Sequence, residues 1–462
     1  MNYTEQLARY FGDLTYESIP PAVVKQAKIC LLDFMGISIG ASLMPEAKDL
    51  GRMIEAWGDR EEASALGLGF KTSTRNAAFC NAVLSALLEV QDGLNFRGIH
   101  IAESVPPALL ALGEFHKADG KKLITSLVVG YEVAGRIAEA MFPTHFAKGF
   151  MPTGTVGAFG AAAGAAKLLG LDPDGIQTAM GIVVRTLPMS IEYEDNKLGG
   201  FTAKYVHGAQ AAKAGIEAAL MAQAGITAYP EPLAGSERLK QGFCFMGADN
   251  PKLEALTEDL GKLFYMPQLY FKPYPACRQT HSAIEVALKM ARQHDIRPAE
   301  VEEIRIRTYK SAVVSTGQNY TNPQSTFISC QFSLPYVVAA SIQDKRFGLD
   351  QLSPEKIADP SVHALAAKVK VIESSEITKE FPNKTISIFE ITMKGNRILT
   401  DRTEYAKGDP KNPMLESDFV EKFLALTASA MKEETKQRMV STIMNLEDLK
   451  DTSTLVNLLS RT

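Results

Sequence analysis

Cysteine, histidine and tryptophan are scarce in this 462-residue chain, with five, seven and one residues respectively. The cysteines (Cys30, Cys80, Cys244, Cys277 and Cys330) are scattered, and no two form a CxxC pair. That excludes a sequence-encoded zinc site or dithiol pair and fits reduced thiols in a cytoplasmic protein. No GxGxxG follows a strand, GxxxxGK[ST] and HExxH are missing, and the one GxSxG, GISIG at 36–40, lies inside an apolar helical run rather than at a strand-to-helix turn. A nucleotide-binding enzyme, a zincin and a serine hydrolase therefore have no support. The net charge is only -4, so nothing electrostatic points to nucleic acid or an anionic membrane. The N-terminal MNYTEQLARYFGDL lacks the apolar core of a signal peptide. The longest apolar run, residues 123–141, is interrupted by Glu132 and Arg136 at i,i+4 spacing, where they can pair. It reads as a buried core helix, not a membrane span.

What is present is ordinary soluble-protein composition, 46% hydrophobic and 22% charged, in a chain long enough for two cores. Residues 1–265 read as successive helices. PPAVVKQAKICLLDFMGISIGAS opens with proline in its first turn, and RNAAFCNAVLSALLEV has apolar residues at helical spacing. TGTVGAFGAAAGAAKLLGLD is rich in Gly and Ala, whose small side chains predict a tightly packed bundle centre. The run from 205 ends on Gly225, a helix stop. The pattern changes near residue 266: VEEIRIRTY alternates as a strand, and 385–405 reads as a hairpin turning at Lys394-Gly395-Asn396. Helices are predicted at 282–294 and 334–342. The expected fold is mainly α: a large all-helical bundle domain (1–265), a smaller α+β lid domain (266–407), and a helical segment (408–462) returning to the first.

Three polar clusters stand out. Glu89, Gln91, Asp92, Arg97 and His100 crowd the stretch EVQDGLNFRGIH just after an apolar helix. Lys204 and His207 in FTAKYVHG fall at i,i+3, so one helical face can carry both. Lys272, Arg278 and His281 share YFKPYPACRQTH, where Thr280 looks like an N-cap placing His281 in a first helical turn. Each cluster alone also fits a solvated loop or linker.

Taken together, the chain resembles the MmgE/PrpD family, which includes 2-methylcitrate dehydratase, cis-aconitate decarboxylase and iminodisuccinate epimerase. The resemblance rests on LLDFMGISIGAS, ALLEVQDG, His100 followed by VPPALLALGE, GYEVAGRI, PTGTVGAFGAAAGAAKLLGL, KYVHGAQAAKAG, KPYPACRQTH and NPMLESDFVEKF. It implies a helical domain joined to an α+β lid, a homodimer, and an active site between the domains. It also implies that the acidic loop, the lysine of KYVHG and the lysine before YPAC act together. The catalytic set is then His100, Lys204, Lys272 and Asp92. Glu89, Gln91, Arg97, His207, Arg278 and His281 are candidate substrate contacts, as are Thr153 and Tyr320.

The chemistry fits those residue types. Removing a proton beside a carboxylate adds charge to it, which lysines can stabilise, and histidine exchanges protons near neutral pH. The expected activity is a cofactor- and metal-independent lyase acting on a small di- or tricarboxylate, by dehydration or decarboxylation. The scattered cysteines do not suggest an iron–sulfur cluster. An epimerase working by the same proton abstraction is the alternative, and a non-catalytic carboxylate-binding protein is the third reading. Three positions depart from the family: Gln91 where aspartate is usual, Ile101 where proline follows the histidine, and Met151 where KGFMPTG usually carries histidine. In the segment 181–196, Arg185 and Thr186 replace small residues, and Arg185 suits a carboxylate clamp.

Overall fold

The computed structural model describes all residues except 1, 96, 189–190, 192–200, 237, 321–324 and 460–462. Most of the second half of the 181–196 segment therefore lies outside the described residues. The chain forms two compact units. One comprises the N-terminal segment to residue 192, Tyr205–Leu269 and Leu415–Thr462; the other comprises Tyr270–Met414 and a short segment ending at Lys204.

The first unit is almost entirely helical. Its main elements are α1 (Pro21–Ala41), α2 (Thr74–Leu87), α3 (Val105–Phe115), α4 (Gly120–Met141), α5 (Pro152–Leu169), α6 (Pro173–Thr186) and α7 (His207–Gln223). Proline occupies the first turn of α1, α3, α5 and α6, where its missing N–H breaks no helical bond. The Gly/Ala run is α5, and it lies at the bundle centre. A Cβ on Gly160 would sit 2.6 Å from the Gly130 carbonyl of α4, and one on Gly215 of α7 would sit 2.4 Å from Ala161. Only residues without larger side chains permit backbones this close. Past α7, Gly225 takes a φ of +87°, as expected of a helix stop.

The apolar run 123–141 is α4, buried along nearly its whole length. Among the described residues no single helix is long and apolar enough to cross a membrane. The expected Glu132–Arg136 pair does not form. Glu132 accepts from the backbone N–H groups of Tyr265 and Met266 at 2.8–2.9 Å, and Arg136 donates to the carbonyls of Glu258 (2.7 Å) and Leu263 (2.8 Å). Both side chains instead satisfy buried backbone that has no secondary-structure partner.

In the second unit, α8 (His281–Gln293) and α9 (Leu334–Asp344) pack on a four-stranded sheet. Its strands β1 (Val301–Thr308), β2 (Val369–Glu373), β3 (Ser387–Met393) and β4 (Arg397–Thr403) lie in the order β2-β1-β3-β4. β1 runs parallel to β2 and antiparallel to β3, with Ile304 opposite Ile391 and Ile306 opposite Phe389. β3 alternates buried and half-buried residues, the pattern of a sheet with one face on a core. The β3–β4 hairpin turns at residues 394–396, with positive φ at Gly395 and Asn396. The chain then returns to the first unit as α10 (Glu416–Leu426) and α11 (Glu433–Met444).

Candidate active site

The loop between α2 and α3 carries the first polar cluster. α2 ends at Leu87, and Glu89 adopts a φ of 56°, the left-handed conformation usually given to glycine after a helix. A non-glycine residue there costs about 1–2 kcal/mol, and such strain concentrates at functional sites. Glu89, Gln91 and Asp92 are buried, with at most 2% of each exposed, so this is not a solvated loop.

Asp92 organises the loop from within. Its Oδ1 accepts from the Ala102 N–H at 3.1 Å and its Oδ2 from the Tyr131 hydroxyl of α4 at 2.9 Å. Burial pushes its carboxyl up to about 7, against the opposing effect of those two donors. Its backbone carbonyl lies 2.5 Å from His100 Nδ1, while the His100 N–H donates to Thr153 Oγ1 at 2.9 Å in the first turn of α5. A carbonyl can only accept, so Nδ1 carries the proton and Nε2 the lone pair. His100 is half-buried, with its ring held by the Asp92 carbonyl and its backbone N–H held by Thr153 of α5.

The remaining first-unit candidates are placed as follows. Gln91 donates from Nε2 to Glu103 Oε1 at 2.7 Å, and both are buried. Arg97 is engaged internally, with Nε bound to Glu139 at 2.7 Å and the guanidinium 4.7 Å from the Phe142 ring centre. Met151 is the N-cap residue of α5 and makes no side-chain cap bond. His207 heads α7 and is half-buried. Arg185 lies elsewhere: exposed on the last turn of α6, it borders an apolar cavity of about 770 Å³ with Phe150, Leu187, Tyr229 and Phe243. His145 also lines that cavity, its nitrogens bonded to the Gly247 carbonyl (2.9 Å) and the Thr155 hydroxyl (2.8 Å), and burial lowers its pKa. His100, Asp92 and Gln91 are not among the residues lining it.

The second unit holds the other candidates. Lys204 sits in the 3-10 turn Thr202–Val206 with its Nζ 4.2 Å from the centre of the Phe332 ring. It does not share a helix with His207, as its spacing suggested, because α7 begins only at His207. Lys272 is fully buried. Arg278 is buried against Tyr270 and donates to the carbonyls of Lys407 (3.0 Å) and Ala406 (3.4 Å), with Asp409 at 3.7 Å. Thr280 occupies the N-cap position of α8 and His281 starts that helix, but the expected capping bond is not made. The Thr280 hydroxyl donates to the Cys277 carbonyl instead, and His281 Nε2 is 3.0 Å from the Ala276 carbonyl. Tyr320 is buried and its carbonyl accepts from the Ser325 hydroxyl at 2.9 Å.

Sequence reasoning missed four residues that meet the 90–92 segment or its partners: Glu103, Tyr131, Asp33 and Lys422. Asp33 on α1 and Lys422 on α10 form a buried ion pair at 2.7 Å, and Lys422 also donates to the Val90 carbonyl at 2.6 Å. Three of them lie in stretches quoted for the resemblance, Asp33 in LLDFMGISIGAS, Tyr131 in GYEVAGRI and Lys422 in NPMLESDFVEKF, but nothing in those stretches signals that they meet the loop. Among the described residues, no group of three or more His, Cys, Asp or Glu side chains is placed to hold a metal ion.

The chain is similar to known proteins over nearly its whole length. The chain is 26% identical to a cis-aconitate decarboxylase-like protein, oryM, of Aspergillus oryzae, over 99% of this chain and 97% of that one. It is also 26% identical to the cis-aconitate decarboxylases of Aspergillus terreus and Homo sapiens, again over 99% of this chain and over 96% and 94% of theirs. The MmgE/PrpD N-terminal domain model matches residues 5–252 and the C-terminal domain model matches residues 274–448. The second match continues past residue 414, so its last part folds into the first unit. With both domain models matched in order over most of its length, the chain belongs to the MmgE/PrpD family.

Proposed function

We propose that this chain is a lyase that removes carbon dioxide or water from a small di- or tricarboxylate, by general acid/base chemistry at a carbon beside a carboxylate and without a cofactor. The observation that carries this reading is the anchored imidazole of His100, whose Nδ1 is held by the Asp92 carbonyl so that Nε2 is the basic nitrogen. In elimination, Nε2 accepts the proton from carbon. In decarboxylation, the protonated ring delivers one to the carbon that carbon dioxide has left. A positioned base of this kind contributes roughly 10²–10⁴-fold in rate. Lys204 and Lys272 are assigned to the substrate's carboxylates, where a cation stabilises the charge that builds up in the transition state. Asp92 is assigned to positioning, since its carboxyl accepts from Ala102 and Tyr131. Decarboxylation of a cis-aconitate-like tricarboxylate is the first reaction to test, because the relatives named above carry that activity in their names.

The test is a proton NMR time course in D₂O with citrate, 2-methylcitrate, cis-aconitate and aspartate-derived dicarboxylates, without added metal. The expected result is a new olefinic product from one of them. His100→Asn should abolish its formation while substrate still binds, and Lys272→Ala should slow it roughly 10²–10³-fold. Full turnover by either variant would refute the assigned roles. Deuterium entering an α-carbon without a new product would replace the lyase reading by the epimerase.

A further inference from the structure

The chain crosses the second unit and then returns to the first, and α10 ends up lying along α1. The contact is built for close approach: a Cβ on Gly36 would lie 2.9 Å from the Phe423 ring, and one on Gly40 would lie 2.6 Å from the Leu426 carbonyl. Asp33 precedes Gly36 by three residues and Gly40 by seven, so all three share one stripe of α1. Lys422 adjoins Phe423 and meets Asp33 there, with only 9% and 3% of the two side chains exposed. The Lys422 ammonium also reaches the Val90 carbonyl, two residues before Asp92. Asp92 in turn holds the His100 ring through its own carbonyl. Both Asp33 and Lys422 are close enough to act electrostatically on the Asp92 carboxyl.

We infer that Lys422 is a positioning residue for the His100 loop, and that the C-terminal segment, by supplying it, completes the catalytic geometry of the first unit. The inference rests on the lyase reading for its effect on turnover, but not for its effect on the loop. An ammonium fixes a backbone carbonyl only if something holds the ammonium, and Asp33 does so from a rigid helix. Without that hold, the segment 90–92 loses this link to α10, and the His100 imidazole loses the register that its carbonyl partner imposes. Misplacement of a reacting group by about 1 Å can cost roughly 10²-fold.

Removing Lys422 alone would strand a buried charge on Asp33, and the variant could fail to fold. The informative variant is the double substitution Asp33→Leu/Lys422→Met, because apolar replacement of a whole buried pair is often neutral for stability. Three quantities are compared with wild type: the urea midpoint, amide hydrogen exchange across residues 90–104, and kcat and KM for cis-aconitate by NMR. The expected outcome is a retained midpoint, faster exchange confined to 90–104, an unchanged KM and a kcat lower by roughly 10²-fold. Wild-type exchange across the loop overturns the inference. So does wild-type kcat, or a rise in exchange spread evenly over the first unit. Wild-type enzyme that is silent with cis-aconitate would mark failure of the substrate reading alone, and the exchange pattern then decides the tether.

Discussion

Replacing Asp92 by asparagine tests the electrostatics of the site most directly. The amide has the shape of the carboxyl. Its oxygen can still accept from the Ala102 N–H, and its NH₂ can donate to a Tyr131 hydroxyl that rotates to accept. The substitution therefore removes a titration and little else. In the folded protein Asp92 titrates at about 7, against an ordinary 3.8, because burial penalises its charged form. That gap of about three units corresponds to about 4 kcal/mol in full. Its sign follows from linkage: between these two values the folded state binds the proton and the unfolded state does not, so stability falls as pH rises. The contribution is fully present below about pH 4 and lost as pH rises through about 7. Between pH 5 and 8 the wild type should lose about 2.5 kcal/mol relative to Asp92→Asn.

The assay is urea unfolding of both proteins at half-unit steps from pH 5 to 8. Glu132 is also pushed up to about 7 by burial, but it is present in both proteins and cancels in the comparison. Asp33 opposes ionisation of Asp92 and Lys422 favours it, and both are likewise unchanged. The two stability curves should lie closest at pH 5, separate up to about pH 7 and run nearly parallel above it, with the variant the more stable at pH 8. Parallel curves across the range would refute the reasoning, because they would mean that Asp92 keeps one protonation state throughout.

Two further substitutions separate structural from substrate-binding roles. Arg97→Ala removes the part-buried pair with Glu139 and the contact with Phe142, and should cost about 1 kcal/mol in urea with KM unchanged. A tenfold rise in KM would put that guanidinium on the substrate instead. Gly208→Ala would bring a methyl group 2.4 Å from both the Cβ and the carbonyl oxygen of Glu103. It should destabilise by about 1–3 kcal/mol, and a wild-type urea midpoint would show that α7 can move away.

What could be read from the sequence was what local chemistry determines. Proline marked the first turn of α1, the Gly/Ala run marked α5 as the bundle centre, the alternation of VEEIRIRTY marked β1, and Lys394-Gly395-Asn396 marked the hairpin turn. The loop 89–100 was legible as unusual because polar residues rarely follow a buried helix so densely. The misses involve choices among competing partners. Glu132 and Arg136 had the right spacing to pair, yet orphan backbone groups of residues 258–266 offered each of them better partners. Thr280 reached back to Cys277 rather than forward into its helix. Lys204 and His207 were separated by a change of helix type that i,i+3 spacing does not reveal. Lys422 and Asp33 sit near opposite ends of the chain, and no periodicity within either helix signals that the two meet.

The departures from the family pattern gain meaning from the same geometry. Gln91 stands where the family usually has aspartate, and its amide donates to the buried Glu103. A carboxylate at 91 would face Glu103 beside Asp92, a carboxyl already raised by burial, and like charges that close cannot all ionise. The amide removes one negative charge and supplies a donor to another. Among the described residues its own Oε1 has no hydrogen-bond partner, an arrangement that costs about 1–3 kcal/mol, so it is the NH₂ group that the position uses. Ile101, in place of proline, is buried in the core directly after His100, and Met151 caps α5 two residues before the threonine that holds the His100 N–H. The three positions adjoin Asp92, His100 and Thr153 in the chain, and none of them replaces the Asp92 carbonyl that holds the His100 ring or the Thr153 hydroxyl that accepts from its backbone N–H. The contacts that anchor His100 are therefore retained.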